Sequence, residues 1–183
     1  PRQVANMVVE HQVTPGPSRD QIGQRLTELL AAPDATMDAR EFACRQLRFI
    51  GSETAIPALI AVLTDDRLRH PARMALEAIP GAPVDTALLN ALPGSAGLAK
   101  AALIDSMGQR GVRATASALA KELANKDPVA AEAAANALGR IAGPEAAQAL
   151  LATREDAVQP LRLPVDRAIL ACAESARQGG ETA

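Results

Sequence analysis

At 183 residues, 48% hydrophobic and 22% charged, the chain has the size and balance of one domain with a core or of a short repeat array. Only 1% of it is aromatic, Phe42 and Phe49, and alanine blocks such as Ala130-Ala131 stand where a sheet would draw on aromatic and β-branched residues, which excludes a β-sandwich or barrel and predicts an all-α fold. A formal charge of −2 with interspersed signs argues against a phosphate-binding surface, and no run approaches the roughly 20 apolar residues of a membrane span.

The chain opens on Pro-Arg-Gln, neither a start Met nor a signal peptide, and reads as a processed chain or excised domain. Residues 2–12 fit a helix with Val4, Met7, Val8 and His11 along one side, broken by "TPGPS" at 14–18. Ser18 followed by Gln21 resembles a capping box opening a helix that carries Ile22, Leu26, Leu29 and Leu30. These two helices are expected to form an N-terminal cap on a set of repeats.

From Ala35 onward the chain repeats itself. Leu47-Arg48-Phe49-Ile50-Gly51, Leu76-Glu77-Ala78-Ile79-Pro80-Gly81, Ile104-Asp105-Ser106-Met107-Gly108 and Leu138-Gly139-Arg140-Ile141-Ala142-Gly143 share one pattern, spaced by roughly 30 residues, and predict stacked repeats. Ala43, Ala72 and Ala134 stand four positions ahead of three of them, on the same helical face, while Lys100 breaks the rule in the fourth. Each glycine is expected to cap its helix at the C-terminus, and Asp38, Asp65-Asp66 and Asp127-Pro128 to open the first helices. A second apolar helix comes after each glycine. The four carry Ile56, Leu59, Ile60 and Leu63, then Val84, Leu88, Leu89 and Leu92, then Val112, Leu119 and Leu123, and last Ala147, Leu150 and Leu151. With Thr54 as N-cap, Pro57 falls at the third helical position, where no partnered N–H is lost; Pro57 and Pro144 are thus expected to open helices rather than break them. Toward the end, Pro160 and Pro164 bracket an interrupted start to a helix with Val165, Ile169, Leu170 and Ala173. Its outer face carries Arg162, Asp166, Arg167, Glu174 and Arg177, suited to water; an apolar face there would mean that the native chain continues.

"GSETAIPALIAVLTDD" (51–66) and "DPVAAEAAANALGRIAGPEAAQALL" (127–151) resemble HEAT repeats, specifically the short bacterial type also found in phycobilin lyases. The resemblance runs from about Ala35 to Leu151. Tetratricopeptide repeats would want the Trp and Tyr that are absent, and ankyrin repeats a Thr-Pro-Leu-His. The fold expected is a right-handed α-solenoid, an α-α superhelix of about four to five HEAT-like helix pairs. Residues 1–17 then form an N-terminal helix and linker, 18–178 the array and 179–183 a disordered tail.

Chemistry is sparse. HEAT-repeat deoxyhypusine hydroxylases bind a di-iron centre through His-Glu pairs, whereas here His11 is followed by Gln12 and His70 by Pro71, so that site does not carry over. His70 is expected on a first-helix surface. Cys44 and Cys172 lack a CxxC or His partner and are expected as small buried residues, too far apart for a bridge; two unpaired thiols lean toward a reducing compartment such as the cytoplasm. "PGSAG" (93–97) lacks the phosphate-loop pattern, and Ser52, Ser95, Ser106 and Ser117 have no His nearby to act as base. HEAT-like DNA glycosylases would need a basic, Trp-lined cleft, and the chain has no Trp.

The expectation is therefore a non-enzymatic interaction or scaffold module of a larger bacterial protein, with no cofactor or metal. It would dock a protein partner, or another domain of its own polypeptide, on the concave face lined by the second helices. Candidate contacts are Thr64, Asn90, Lys121, Asn125 and Gln148, with Asn136 a further amide on an apolar helix. The alternatives are a regulatory or lyase-like domain that holds a small ligand or assists an enzyme, and a plain structural spacer.

Overall fold

Where the periodicity predicts helices, the computed structural model has them. It describes residues 17–179, and among these every assigned element is helical. In chain order they are α1 (Pro17–Ala31), α2 (Met37–Ile50), α3 (Ile56–Ala61), α4 (Arg69–Ala78), α5 (Ala82–Ala91), α6 (Gly97–Arg110), α7 (Ala116–Glu122), α8 (Pro128–Ile141), α9 (Pro144–Asp156) and α10 (Arg162–Gln178). Short 3₁₀ turns precede α3 (Glu53–Ala55), follow it (Val62–Thr64) and precede α7 (Arg113–Thr115). The helix expected over 2–12 and the tail beyond 179 lie outside the described residues. The described chain falls into two compact units that part between Ala87 and Leu88, inside α5.

In the first unit α2 packs on both α1 and α4, while α3 sits beside α4 and α1. First helix thus stacks on first helix, and α1 takes the place of a second helix ahead of the first full pair. The stripe Ala43, Leu47 and Ile50 of α2 faces inward, as do Ala72, Ala75 and Leu76 of α4 and Ile56 and Leu59 of α3. Leu26, Leu30, Leu63 and Leu68 complete a core of fully buried side chains.

The second unit repeats the scheme: α6, α8 and α10 stack in succession, with α7 packed on α9. Alanine makes the stack close. On α8, Ala130, Ala131, Ala133, Ala134, Ala135 and Ala137 are all buried, because that helix has α6 and α10 on two sides and α7 and α9 against it as well. A Cβ on Gly108 of α6 would stand 2.6 Å from the Cα of Ala137, and one on Gly139 of α8 would stand 2.9 Å from the Cα of Ala168. The same sequence interval separates the two members of each couple, close to the roughly 30-residue repeat. Gly108 is therefore not the C-cap expected of it. The helix runs through it to Arg110 and stops at Gly111, whose positive φ of 65° lets its N–H reach the carbonyl of Met107 at 3.2 Å.

Other local expectations are corrected in the same way. Ser18 lies inside α1 rather than before it. The N-cap of α2 is Thr36, whose hydroxyl accepts the Ala39 N–H at 3.3 Å, and Asp38 sits in the first turn. Thr54 falls within a 3₁₀ turn that starts after Ser52, so Pro57 becomes the second residue of α3. Asp65 accepts from the N–H groups of Arg67 and Leu68 and shapes the turn ahead of α4. Asp127 does cap α8, accepting the Val129 N–H at 3.0 Å with Pro128 in the first turn, and Pro144 opens α9. Gly143 is the N-cap of α9, the preceding C-cap being Ala142. Pro164 is absorbed into the first turn of an unbroken α10. Two apolar stripes turn out shifted: Ala146 is buried in place of Ala147, and Leu151, Leu170 and Ala173 face solvent.

Candidate interaction surfaces

The sequence-predicted contact residues are spread along the chain. Thr64 closes the 3₁₀ turn after α3 in the first unit, while Asn90 on α5, Lys121 on α7 and Gln148 on α9 belong to the second. All four are exposed, and the packing of α7 on α9 makes the helices of Lys121 and Gln148 neighbours. Asn125 lies in the turn between α7 and α8, not on a second helix. Its amide donates to Glu122 Oε2 at 2.6 Å and its carbonyl accepts the Asp127 N–H at 2.9 Å. Asn136 is half-buried on the first helix α8.

Glu122 explains why Lys100 departs from the small-residue rule. The Lys100 ammonium of α6 meets both carboxylate oxygens of Glu122, at 3.1 and 3.2 Å, with the two side chains only 11% and 15% exposed. A long cation thus replaces a small apolar residue because a carboxylate from α7 is waiting for it. The chain Lys100–Glu122–Asn125–Asp127 ties α6 and α7 to the cap of α8.

Both thiols are withdrawn from chemistry. Cys44 and Cys172 are free and buried, as the sequence predicts. Burial pushes the Cys44 thiol up to about 12, with Glu41 adding to the rise, and burial alone raises Cys172. Among the described residues, no three His, Cys, Asp or Glu side chains gather as a metal-ion ligand set. His70 lies exposed at the start of α4. These residues do not fit a di-iron centre.

A groove of about 430 Å³ along the seam of α2 and α4 has no counterpart among the sequence-predicted contacts. Its apolar floor is Phe49, Pro71 and Met74, and Arg45, Arg48 and His70 stand on its rim. Phe49 is 51% exposed, with the Arg48 guanidinium 5.8 Å from its ring centroid. Glu41 also lines it, but one carboxylate oxygen is taken by Arg45 and the other by Arg67 at 2.9 Å. Arg67 bonds Asp38 as well, and those hydrogen bonds hold its guanidinium above the usual arginine range. The available signal was angular: Ala43, Leu47 and Ile50 make the buried stripe, and Phe49 falls off it.

A second groove, of about 400 Å³, lies between α9 and α10, lined by Leu151, Ile169 and Leu170 and bridged by a 2.6 Å ion pair from Arg154 to Asp166. Leu151 is 53% and Leu170 70% exposed. The charged residues expected on α10, Arg162, Arg167, Glu174 and Arg177, are exposed or partly exposed beside them.

Comparison with known proteins agrees with this packing. No protein of curated function matches the sequence. A family model described as HEAT repeats matches residues 84–169. It begins later than the sequence resemblance does and extends past Leu151 into α10, where Pro160 just ahead of the helix and Pro164 in its first turn obscure the repeat character. Among solved structures, the chain is similar to human deoxyhypusine hydroxylase in complex with glycerol, with a TM-score of 0.56 and 18% identity over 95% of this chain and 85% of that one. That likeness speaks for the fold alone. Residues 84–169 thus resemble HEAT repeats, in a chain whose all-α fold is similar to that of a HEAT-repeat solenoid.

Proposed function

We propose that the chain is a non-enzymatic docking scaffold that binds a protein partner or another domain of its own polypeptide. One observation carries this reading: each unit leaves a large apolar side chain in water inside a charged-rimmed groove, Phe49 between α2 and α4 and Leu170 between α9 and α10. An apolar surface of that kind, rimmed by polar groups, marks interaction sites. The residues able to do chemistry are meanwhile committed elsewhere, Cys44 to the core, Glu122 to Lys100 and Asp127 to a helix cap. In the second unit exposed Asn90, Lys121 and Gln148 supply polar contacts on α5, α7 and α9, and in the first unit Thr64 supplies one at the turn after α3.

A photo-crosslinking residue placed at Gln46, and separately at Leu151, in cells of the native host tests this. The expected product is a covalent adduct with one defined polypeptide, lost when Phe49→Asp or Leu170→Asp is added beside the respective crosslinker. Absence of any polypeptide adduct from both grooves and from Lys121 and Gln148 would overturn the docking role.

A further inference from the structure

Resting on the docking role above, we infer that the seam between α2 and α4 binds a short polypeptide segment in which acidic residues flank an apolar one. Three observations meet there. Phe49, Pro71 and Met74 give the groove an apolar floor, half open at Phe49, and its volume of about 430 Å³ takes a few side chains. The rim carries two guanidinium groups, Arg45 and Arg48, and the two oxygens of Glu41 are already engaged by Arg45 and Arg67. Among the described residues Arg48 meets no carboxylate. It lies near the Phe49 ring, which holds its guanidinium beside the apolar floor while leaving its donors for an incoming acid. A basic or neutral segment would forfeit that pairing. A nucleic acid would bring its phosphates against Asp38 and Glu41 as well as against the arginines.

Chemistry selects the occupant. An apolar side chain covers Phe49 and Met74 while a neighbouring carboxylate forks onto Arg48.

A display library of short random peptides, panned on the full chain, tests this without a known partner. Enriched sequences should place Asp or Glu beside Leu, Ile or Phe. By fluorescence anisotropy, Arg48→Glu and Phe49→Ala should each weaken the enriched peptide at least about tenfold, with affinity falling as salt rises. Both changes are at exposed side chains and should leave the thermal midpoint in place, and Leu98→Ala, at an exposed position in the other unit outside both grooves, should leave binding unchanged. Failure to enrich any peptide, enrichment of basic or uncharged sequences, or indifference to both variants would overturn the inference. So would preferential binding of a single-stranded oligonucleotide over every peptide, or self-association of the chain that Phe49→Ala abolishes. If enriched peptides ignore Arg48 and Phe49 but are lost on Lys121→Glu, the seam fails while the docking role stands.

Discussion

Cys44 is held on the buried stripe of α2, and loss of water around it moves its ionisation from the ordinary 9.0 to about 12. The sign of the consequence is set by the unfolded chain, in which the same thiol ionises near 9. Below that pH neither state gives up the proton and the folded state bears no cost. Above it the unfolded chain ionises and the folded one does not, so stability drains away as pH climbs toward 12. One unit of separation is worth about 1.4 kcal/mol. Raising the pH from neutral to about 10 should therefore lower the denaturation midpoint by an amount of that order. Cys44→Ala should flatten the fall, leaving the smaller share of Cys172, whose rise has the same sign. The same burial predicts that iodoacetamide labels both thiols slowly in the native protein and promptly in denaturant. Fast native labelling of Cys44 would place that side chain in water and contradict its position.

Helix packing, rather than helix propensity, decides what glycine does here. Alanine at Gly108 ought to favour the helix by roughly 1 kcal/mol. Its Cβ would, however, press at 2.6 Å on the Cα of Ala137, a backbone atom of a packed neighbour that cannot swing aside. Overpacking of this sort costs about 1–3 kcal/mol, so Gly108→Ala should lower the thermal midpoint, whereas Gly94→Ala, with nothing within 4 Å, should leave it nearly unmoved. An unchanged or raised midpoint for Gly108→Ala would mean that α6 and α8 lie further apart. Elsewhere in the stack, Leu76→Asp should cost several kcal/mol by burying a charge among α2, α3 and α4. Retention of the wild-type melting curve would remove Leu76 from the core. Such elements were legible because leucine and isoleucine recur on one face whatever surrounds the helix. Their ends were less so. Gly108 ends an apolar stripe as a capping glycine would, and only the approach of Ala137 reveals its other purpose; Asp38 looks like a cap until the geometry hands that task to Thr36.

At the scale of the molecule, the period was readable and the grooves were not. Phe49 stands inside the repeat motif, and only its angle on α2 separates it from the core. The exposure of Leu151 and Leu170 depends on how α9 meets α10, which no local pattern records. Charge behaves the same way. The net value of −2 leaves open whether the basic residues could still gather against a phosphate backbone. The structure shows many of them engaged: Arg67 on Asp38 and Glu41, Arg69 on Asp66, Arg73 on Glu77, Lys100 on Glu122, Arg140 on Asp105 and Arg154 on Asp166. Each phosphate contact by one of these would first have to displace a carboxylate already in place, and the displaced acid would repel the same phosphate. Affinity for nucleic acid comes mainly from counterions released by such contacts, so few contacts mean both weak binding and a shallow dependence on salt. The chain should accordingly fail to retard duplex DNA at physiological ionic strength. Any residual binding at low salt should give a log–log slope of no more than about 2. Micromolar affinity with a slope of several units would show that these pairs open on contact with phosphate, and that the surface is basic in use though balanced at rest.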